Sequence, residues 1–199
     1  MRIGGFQKQS FIDWPGKVAA VVFTKGCNFR CDYCHNKDLV MPEAIKASKD
    51  IDIDAFLNYI DARSKWLDGV VVTGGEPTIH NDLPDFIKRI KAMGLKVKLD
   101  TNGSNPILLK TLVEKQSIDY VALDVKTILE LKPYQEICGI KDFKLVGLVK
   151  RSIEILRNSK IQYQLRTTLL PNHHDDVKIK NLKSMFGSEY HVFNRYRKP

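Results

Sequence analysis

Two kinds of hydrophobic pattern alternate along the chain. Continuous runs of apolar and β-branched residues, bounded by turn residues, are typical of strands buried on both faces. Segments in which apolar residues recur every three or four positions predict amphipathic helices. The predicted strands lie at 18–24, 69–73, 95–99, 120–123, 161–168 and 189–196, and the predicted helices lie around 53–67, 83–93, 106–113, 149–156 and 182–186. The stretches 1–17 and 37–50 and the segment around Cys138 carry neither pattern and are predicted to be irregular.

This alternation of strand and helix predicts an α/β fold with parallel strands and right-handed crossovers. About six strand–helix units are too few to close an eight-stranded barrel, so a partial barrel and an open doubly wound sheet both remain as interpretations. In either case ligands collect at the carboxyl ends of the strands. Polar motifs follow four of the predicted strands there, at 25–36, 74–77, 100–103 and 124–126.

The length and charge of the chain limit its class and its partners. A chain of 199 residues is long enough for one domain with a hydrophobic core. Lys and Arg number 32 against 23 Asp and Glu, which gives a formal net charge of +9. This charge favours acidic partners, or it gives a basic surface that only steers encounters. No helix-turn-helix, zinc-finger or aromatic-rich RNA-binding motif occurs in the sequence, so nucleic acid is not expected as a partner.

The sequence also bears on location. No apolar run approaches the roughly 20 residues of a membrane helix, so no membrane association is expected. Residues 1–5 lack the apolar core of a signal peptide. A cytoplasmic location is therefore expected, where thiols stay reduced and clustered cysteines indicate a metal more often than a disulfide.

Three of the four cysteines, Cys27, Cys31 and Cys34, lie on one short loop with C-x3-C-x2-C spacing. Zinc sites usually take well-separated pairs of cysteines and four protein ligands. A [4Fe–4S] cluster takes four thiolates, one for each iron. Three close thiolates without a fourth indicate a cluster with one iron open to another ligand, and zinc or unrelated buried cysteines are the alternatives. Cys138 is expected to be a core thiol.

The cysteine triplet and three flanking motifs carry a resemblance to a known family. The motifs are SFIDWPGK at 10–17, YCHN at 33–36 and GGEP at 74–77. Together with the triplet they resemble the radical S-adenosylmethionine (SAM) enzymes. Within these, they are most similar to the small activating enzymes of glycyl-radical enzymes, above all the anaerobic ribonucleoside-triphosphate reductase activating proteins. The resemblance covers essentially the whole chain.

The resemblance implies a fold, a reaction and two cofactors. The fold would be a single domain, residues 1–199, with a partial (βα)6 TIM-type barrel. Residues 25–36 would form the cluster loop, and the leader segment 1–17, with Asp13 in its D-x-P-G motif, would face the substrate. A [4Fe–4S] cluster would bind SAM through its open iron. One electron would then split SAM into methionine and a 5′-deoxyadenosyl radical.

The resemblance also assigns residues. Cys27, Cys31 and Cys34 would bind three irons. Gly74 and Gly75 would let the backbone approach a ligand closely, and Glu76 would accept a hydrogen bond from the SAM ammonium group. The remaining predicted contacts are Lys126 with the SAM carboxylate, Asp124 or Asn102 with the ribose hydroxyls or the amino group, and Tyr33, His35 and Asn36 near the adenine. Asp100 and Arg166 complete the cofactor-binding set.

Some of these assignments have alternatives. His35 is equally suited to donate to a cluster sulfur, and Asn102 to form a turn. Arg166 would face either a helix or the barrel interior, where it needs a carboxylate such as Asp124. Residues 173–175 are interpreted as a helix start rather than a metal site.

The implied reaction defines partners and competing functions. The radical would abstract hydrogen from a glycine Cα of a glycyl-radical enzyme, expected to be the anaerobic ribonucleoside-triphosphate reductase, with flavodoxin or ferredoxin as electron donor. An activating enzyme of the pyruvate formate-lyase type is the nearest alternative. A small-molecule radical SAM enzyme, such as 7-carboxy-7-deazaguanine synthase, is another, and an iron–sulfur electron carrier is the alternative outside enzymes.

Overall fold

The computed structural model describes residues 1–187 and 190–196, and these contain one seven-stranded sheet. The strands follow one another in sequence order across the sheet. The first strand pairs antiparallel with the second, and the other six are parallel. The strands are β1 Ile3–Ser10, β2 Ala19–Thr24, β3 Gly69–Gly74, β4 Lys96–Thr101, β5 Tyr120–Asp124, β6 Gln162–Leu169 and β7 His191–Arg195.

Helices connect the parallel strands, as the alternating pattern predicted. They are α1 Lys37–Val40, α2 Pro42–Ala47, α3 Ile53–Asp61, α4 Leu83–Ala92, α5 Pro106–Glu114, α6 Leu131–Cys138, α7 Leu145–Arg157 and α8 Asp176–Phe186. The sequential strand order lacks the reversal that defines a doubly wound sheet, so the partial barrel is the correct one of the two interpretations. No helix among the described residues has both the length and the apolar character needed to span a bilayer.

The two faces of the sheet have different contents because side chains alternate along a strand. The face toward the helices carries the main hydrophobic core, which includes Val72 and Leu99. The inner face of the barrel carries a smaller apolar cluster, in which Trp14 packs with Ala19, Val21 and Val71. Lys98 lies beside Val71 in the strand register, so polar groups on β4 face the same interior.

The structure corrects the segments predicted to be irregular. β1 lies within residues 1–17, and it was missed because an edge strand that is buried only at its two ends has no continuous apolar run. α1 and α2 lie within 37–50, and they are only 4 and 6 residues long. α6 contains Cys138 and ends at Gly139, which has a left-handed conformation (φ 58°). The predicted last strand is described as His191–Arg195, and position 189 lies outside the described residues.

Candidate cofactor site

A cavity of about 410 Å³ lies at the carboxyl ends of the parallel strands. It is lined by all fourteen predicted site residues: Cys27, Cys31, Tyr33, Cys34, His35, Asn36, Gly74, Gly75, Glu76, Asp100, Asn102, Asp124, Lys126 and Arg166. Asp13 from the leader segment lines it as well. A larger surface cavity, about 960 Å³, lies near the opposite ends of β5 and β6 and contains none of these motifs. The chemistry-bearing residues therefore meet in the smaller cavity.

The cluster loop, residues 25–36, is anchored where it leaves β2. Lys25 is 2% exposed, and its ammonium donates to the carbonyl oxygens of Ser48 (3.1 Å) and Lys49 (2.8 Å) and to Asp50 (2.7 Å). The next residue, Gly26, donates its N–H to Leu39 O at 2.7 Å. A buried ammonium is costly unless it is paired in this way, so these contacts fix the base of the loop.

The far side of the loop is held by three other elements. The N–H of Arg30 donates to the carbonyl oxygen of Cys138 at 2.7 Å, at the end of α6. The Asn28 side chain donates to Ser104 Oγ at 2.8 Å. The Asn36 side chain donates to Gly74 O at 3.0 Å, which ties the YCHN and GGEP motifs together.

The three loop cysteines are half-buried and differ in acidity. Burial raises the pKa of Cys27 to about 12 and also raises that of Cys34. A hydrogen bond from the Cys138 thiol, the largest cause, lowers the pKa of Cys31 to about 7. Cys138 is fully buried, as expected of a core thiol, but its contact with Cys31 was not predicted.

The donor set fits a multi-iron cluster better than a single ion. Among residues 1–187 and 190–196, no three Cys, His, Asp or Glu side chains are arranged to hold one metal ion. In a [4Fe–4S] cluster each thiolate binds a different iron, so its sulfurs need not converge on one point. Three separate thiols around one cavity therefore fit the predicted cluster.

The GGEP motif packs against the base of the cluster loop. A Cβ on Gly75 would overlap the carbonyl oxygen of Gly26 and lie 2.7 Å from its carbonyl carbon. Gly74 has φ 111°, and a Cβ there would overlap the Thr24 backbone. The close approach that these glycines allow is thus to protein backbone rather than to a ligand. Their contact with SAM stays a prediction.

Glu76 is 1% exposed and joins the ends of β3 and β4. Its Oε1 accepts from the Thr78 N–H (3.1 Å), the Thr78 hydroxyl (2.5 Å) and the Thr101 hydroxyl (2.7 Å). Its Oε2 accepts the Asn102 N–H at 2.7 Å, and no other donor to this atom is found in the described part of the chain. Burial raises the pKa of this carboxyl group, and the four donors oppose that rise. Because Oε2 has a second lone pair, it can accept a further hydrogen bond, such as the predicted one from an ammonium group.

A network of charged side chains lines the interior beside the cysteines. Asp124 accepts from Arg166 Nε at 2.8 Å and from Lys126 Nζ at 3.0 Å. Asp100 accepts from Arg166 at 3.2 Å and lies 2.8 Å from the Lys98 ammonium. Arg166 therefore faces the barrel interior, paired with the carboxylate that the sequence suggested. Burial opposes the ionisation of Asp124, but Arg166 and Lys126 outweigh it and hold its pKa at about 2.

Two further residues, Tyr196 and His174, make contacts at the site that were not predicted from the sequence. Tyr196 follows β7, and its ring lies edge-on to Tyr33 (6.4 Å between centroids) and 5.9 Å from His35. His174 accepts the Leu170 N–H at 3.0 Å and contacts the Lys126 carbonyl oxygen at 3.0 Å. No sequence motif points to either residue, because a lone aromatic ring after a strand and a histidine before a helix have many ordinary roles.

Comparison with known proteins decides the family. Residues 21–181 match the family model described as "Radical SAM superfamily", and this span contains every predicted cofactor residue. The chain belongs to the radical SAM superfamily. This superfamily uses a [4Fe–4S] cluster and SAM, so the predicted family and cofactors are confirmed.

The relatives of this radical SAM protein include activating enzymes. A putative glycyl-radical enzyme activating enzyme of Methanocaldococcus jannaschii is 32% identical over 183 residues, which cover 90% of this chain and 73% of that protein. The pyruvate formate-lyase 1-activating enzyme of Escherichia coli is 25% identical over 184 residues, covering 88% of this chain and 70% of that enzyme. The chain is accordingly a radical SAM enzyme of the glycyl-radical activating family.

A solved structure supports the fold of this radical SAM protein. Native anSMEcpe with bound AdoMet superposes with a TM-score of 0.65 at 17% identity, over 88% of this chain. The match spans only 50% of the anSMEcpe chain. At this identity the likeness concerns the fold alone, and it agrees with the predicted partial barrel. The roles of the individual site residues stay predictions.

Proposed function

We propose that this chain cleaves SAM reductively and generates a glycyl radical on a partner enzyme, the anaerobic ribonucleoside-triphosphate reductase. The observation that carries the proposal is one cavity in which three thiols, the Glu76 carboxylate and a network of paired charged side chains meet. Residues 1–199 then form one radical SAM domain whose leader segment faces the substrate. A cytoplasmic location, where thiols are kept reduced, belongs to the same proposal.

The protein's part in this chemistry is to hold, orient and shield the reactants. When bound, the cluster and SAM supply a 5′-deoxyadenosyl radical. Cys27, Cys31 and Cys34 would hold three irons and leave one iron without a protein ligand. Cys138 is the remaining cysteine of the sequence, and it does not line the cavity. This position supports a cluster with three cysteine ligands.

Lys126 is the proposed partner of the SAM carboxylate. It lines the cavity together with Arg166, and these two cations pair with Asp124 and Asp100. Asp13 and Glu76 line the cavity as well, so the support for a carboxylate there is the position of these two cations and not an excess of positive charge. Lys126 keeps its charge there, because the attraction of Asp124 outweighs the effect of burial and raises its pKa.

The net charge and the relatives support the proposed class of partner. The net charge of +9 suits an acidic partner enzyme and an acidic electron donor such as flavodoxin or ferredoxin. The reductase is favoured because the sequence holds no inserted ferredoxin-like cysteine cluster between its strands. The similarity to the pyruvate formate-lyase 1-activating enzyme supports a pyruvate formate-lyase type of enzyme as the second candidate partner.

The proposal is tested under anaerobic conditions in two steps. The reconstituted protein is first given dithionite and SAM, and 5′-deoxyadenosine is measured. Each candidate partner is then added, and the glycyl-radical doublet is recorded by electron paramagnetic resonance. Cys31→Ala should abolish both signals, whereas Cys138→Ala should keep the iron content of the parent protein.

Each outcome decides between the functions. A doublet on the reductase alone supports the proposal, and a doublet on pyruvate formate-lyase alone supports the second candidate. Formation of 5′-deoxyadenosine without a radical on either protein favours a small-molecule enzyme. An iron-loaded protein that yields no 5′-deoxyadenosine would leave the electron carrier as the remaining function.

A further inference from the structure

The loop between β1 and β2, residues 11–17, lies over the inner side of the barrel; we call it the leader loop. Trp14 is 5% exposed and packs inside the barrel. The preceding residue, Asp13, lines the cofactor cavity. Phe11 and Ile12 are 68% and 88% exposed at the outer side of the loop. The loop therefore reaches from the solvent to the cofactor site within four residues.

Lys98 joins this loop to the charged network. Its side chain is 3% exposed, and its ammonium donates to the carbonyl oxygen of Asp13 at 2.6 Å. The same ammonium lies 2.8 Å from Asp100, which in turn accepts from Arg166. Its register neighbour on β3 is the apolar Val71. Burying an ammonium group at such a position costs more free energy than burying an apolar side chain. Packing alone therefore does not explain a lysine here.

We propose that Lys98 is a positioning residue that fixes the leader loop relative to the SAM-binding end of the cavity. This inference rests on the proposed function, in which the leader segment faces the substrate polypeptide. Lys98 then keeps the substrate-facing loop at a fixed distance from the Asp100–Arg166 pair. A radical formed at SAM meets the glycine Cα only when this spacing is kept.

Ser10 holds the same loop from outside the lining of the cofactor cavity. Its hydroxyl donates to the Asp13 carboxylate at 2.5 Å and accepts the N–H groups of Ile12 and Asp13, each at 3.2 Å. Ser10 does not line the cavity. Ser10→Ala is therefore a matched variant that loosens the loop locally and leaves the link from Lys98 to Asp100 in place.

The first test needs no cofactor. Hydrogen–deuterium exchange is measured for peptides covering residues 11–17 in the full-length, cluster-free chain. Losing a charge-assisted hydrogen bond in Lys98→Met should speed this exchange by about tenfold or more. Lys96→Met changes an exposed lysine on the same strand and should leave the exchange unchanged. Unchanged exchange in Lys98→Met would overturn the inference.

The second test separates positioning from folding. With the cluster, SAM and the partner present, the yield of glycyl radical is divided by the yield of 5′-deoxyadenosine. Lys98→Met should lower this ratio about tenfold and also weaken SAM binding, because Asp100 loses a cation. Ser10→Ala should lower the ratio and leave the SAM dissociation constant unchanged. A ratio that stays at the parent value in Lys98→Met contradicts the positioning role.

Two further results keep the outcomes distinct. If Lys98→Met does not fold, Lys98→Gln replaces it, because Gln keeps an N–H donor for the Asp13 carbonyl and loses the charge. This variant should weaken SAM binding with a smaller increase in loop exchange, and parent-like values of both quantities overturn the inference. If the parent chain forms no glycyl radical on any partner, the proposed function fails. The exchange experiment still decides whether Lys98 holds the loop.

Discussion

The packing of Gly75 against the cluster loop gives the sharpest test of how the site is built. Gly75→Ala adds one methyl group, and its Cβ would lie 2.7 Å from the Gly26 carbonyl carbon. Optimal contact between carbon atoms is about 3.5–4.0 Å. Both partners are backbone, so no side chain can rotate away. The cluster loop must therefore move away from β3.

The magnitude follows from the hydrogen bonds at this contact. The Gly75 N–H donates to Thr24 O and the Glu76 N–H donates to Gly26 O, each at 2.8 Å. Displacing the loop breaks or lengthens both bonds. At about 1 kcal/mol for each net bond, and more for a buried group left unpaired, the free energy of unfolding should fall by about 2–4 kcal/mol. Iron loading should fall with it, because Cys27 follows Gly26 directly.

Urea unfolding of the cluster-free chain, followed by circular dichroism without oxygen, measures the change in stability. Iron and sulfide per chain after reconstitution measure the effect on the cluster. Gly147→Ala is the matched control, since it lies in α7 with nothing within 4 Å of an added Cβ. It should stabilise the chain by about 0.5–1 kcal/mol, because alanine is the better helix former. If Gly75→Ala keeps parent stability and iron content and only weakens SAM binding, Gly75 serves ligand approach and our reasoning is wrong.

Three further changes test the charges and the helix caps. Arg166→Met should lower the free energy of unfolding, measured in urea, by about 1–3 kcal/mol, which is less than the loss on breaking a fully buried ion pair. It should also raise the pKa of Asp124 from about 2, as measured by NMR titration of the carboxyl group. A hydrogen bond from Arg2 is the main cause that lowers the pKa of Asp50 from 3.8 to about 2. The resulting stabilisation is complete above pH 4 and lost toward pH 2. Asp50→Asn should therefore reduce the change of the urea midpoint with pH over that range. Asn105→Ala removes the cap of α5 and should lower the unfolding free energy by about 1 kcal/mol, whereas an unchanged midpoint would contradict the capping role.

Burial determined which strands and helices could be predicted from the sequence. The parallel strands were predicted because both of their faces are covered, which gives runs such as Val70–Val72. β1 was missed because its register with β2 is interrupted twice and its middle is exposed. Short helices such as α1 span about one turn, which is too little for a hydrophobic period to become visible.

The residues of the site were predictable where a motif follows a strand directly. Parallel strands end at one edge of the barrel, so motifs far apart in sequence must meet there. Single residues whose partner lies far away in sequence were not predictable. Lys98 contacts Asp13 across 85 positions, and His174 contacts Lys126 across 48. Neither residue belongs to a motif, so only the folded chain shows its contact.

The network also favours one of the two roles that the sequence left open for Asp124. Each of its carboxylate oxygens already accepts from one cation, Arg166 or Lys126. A carboxylate oxygen has two lone pairs, so a neutral hydroxyl can donate to either oxygen without displacing a cation. An ammonium group there would place a third positive charge against one negative charge. Within residues 1–187 and 190–196, no cation donates to Glu76, and its four donors are neutral. We therefore expect Asp124 to bind ribose hydroxyls and Glu76 to receive the ammonium group of SAM.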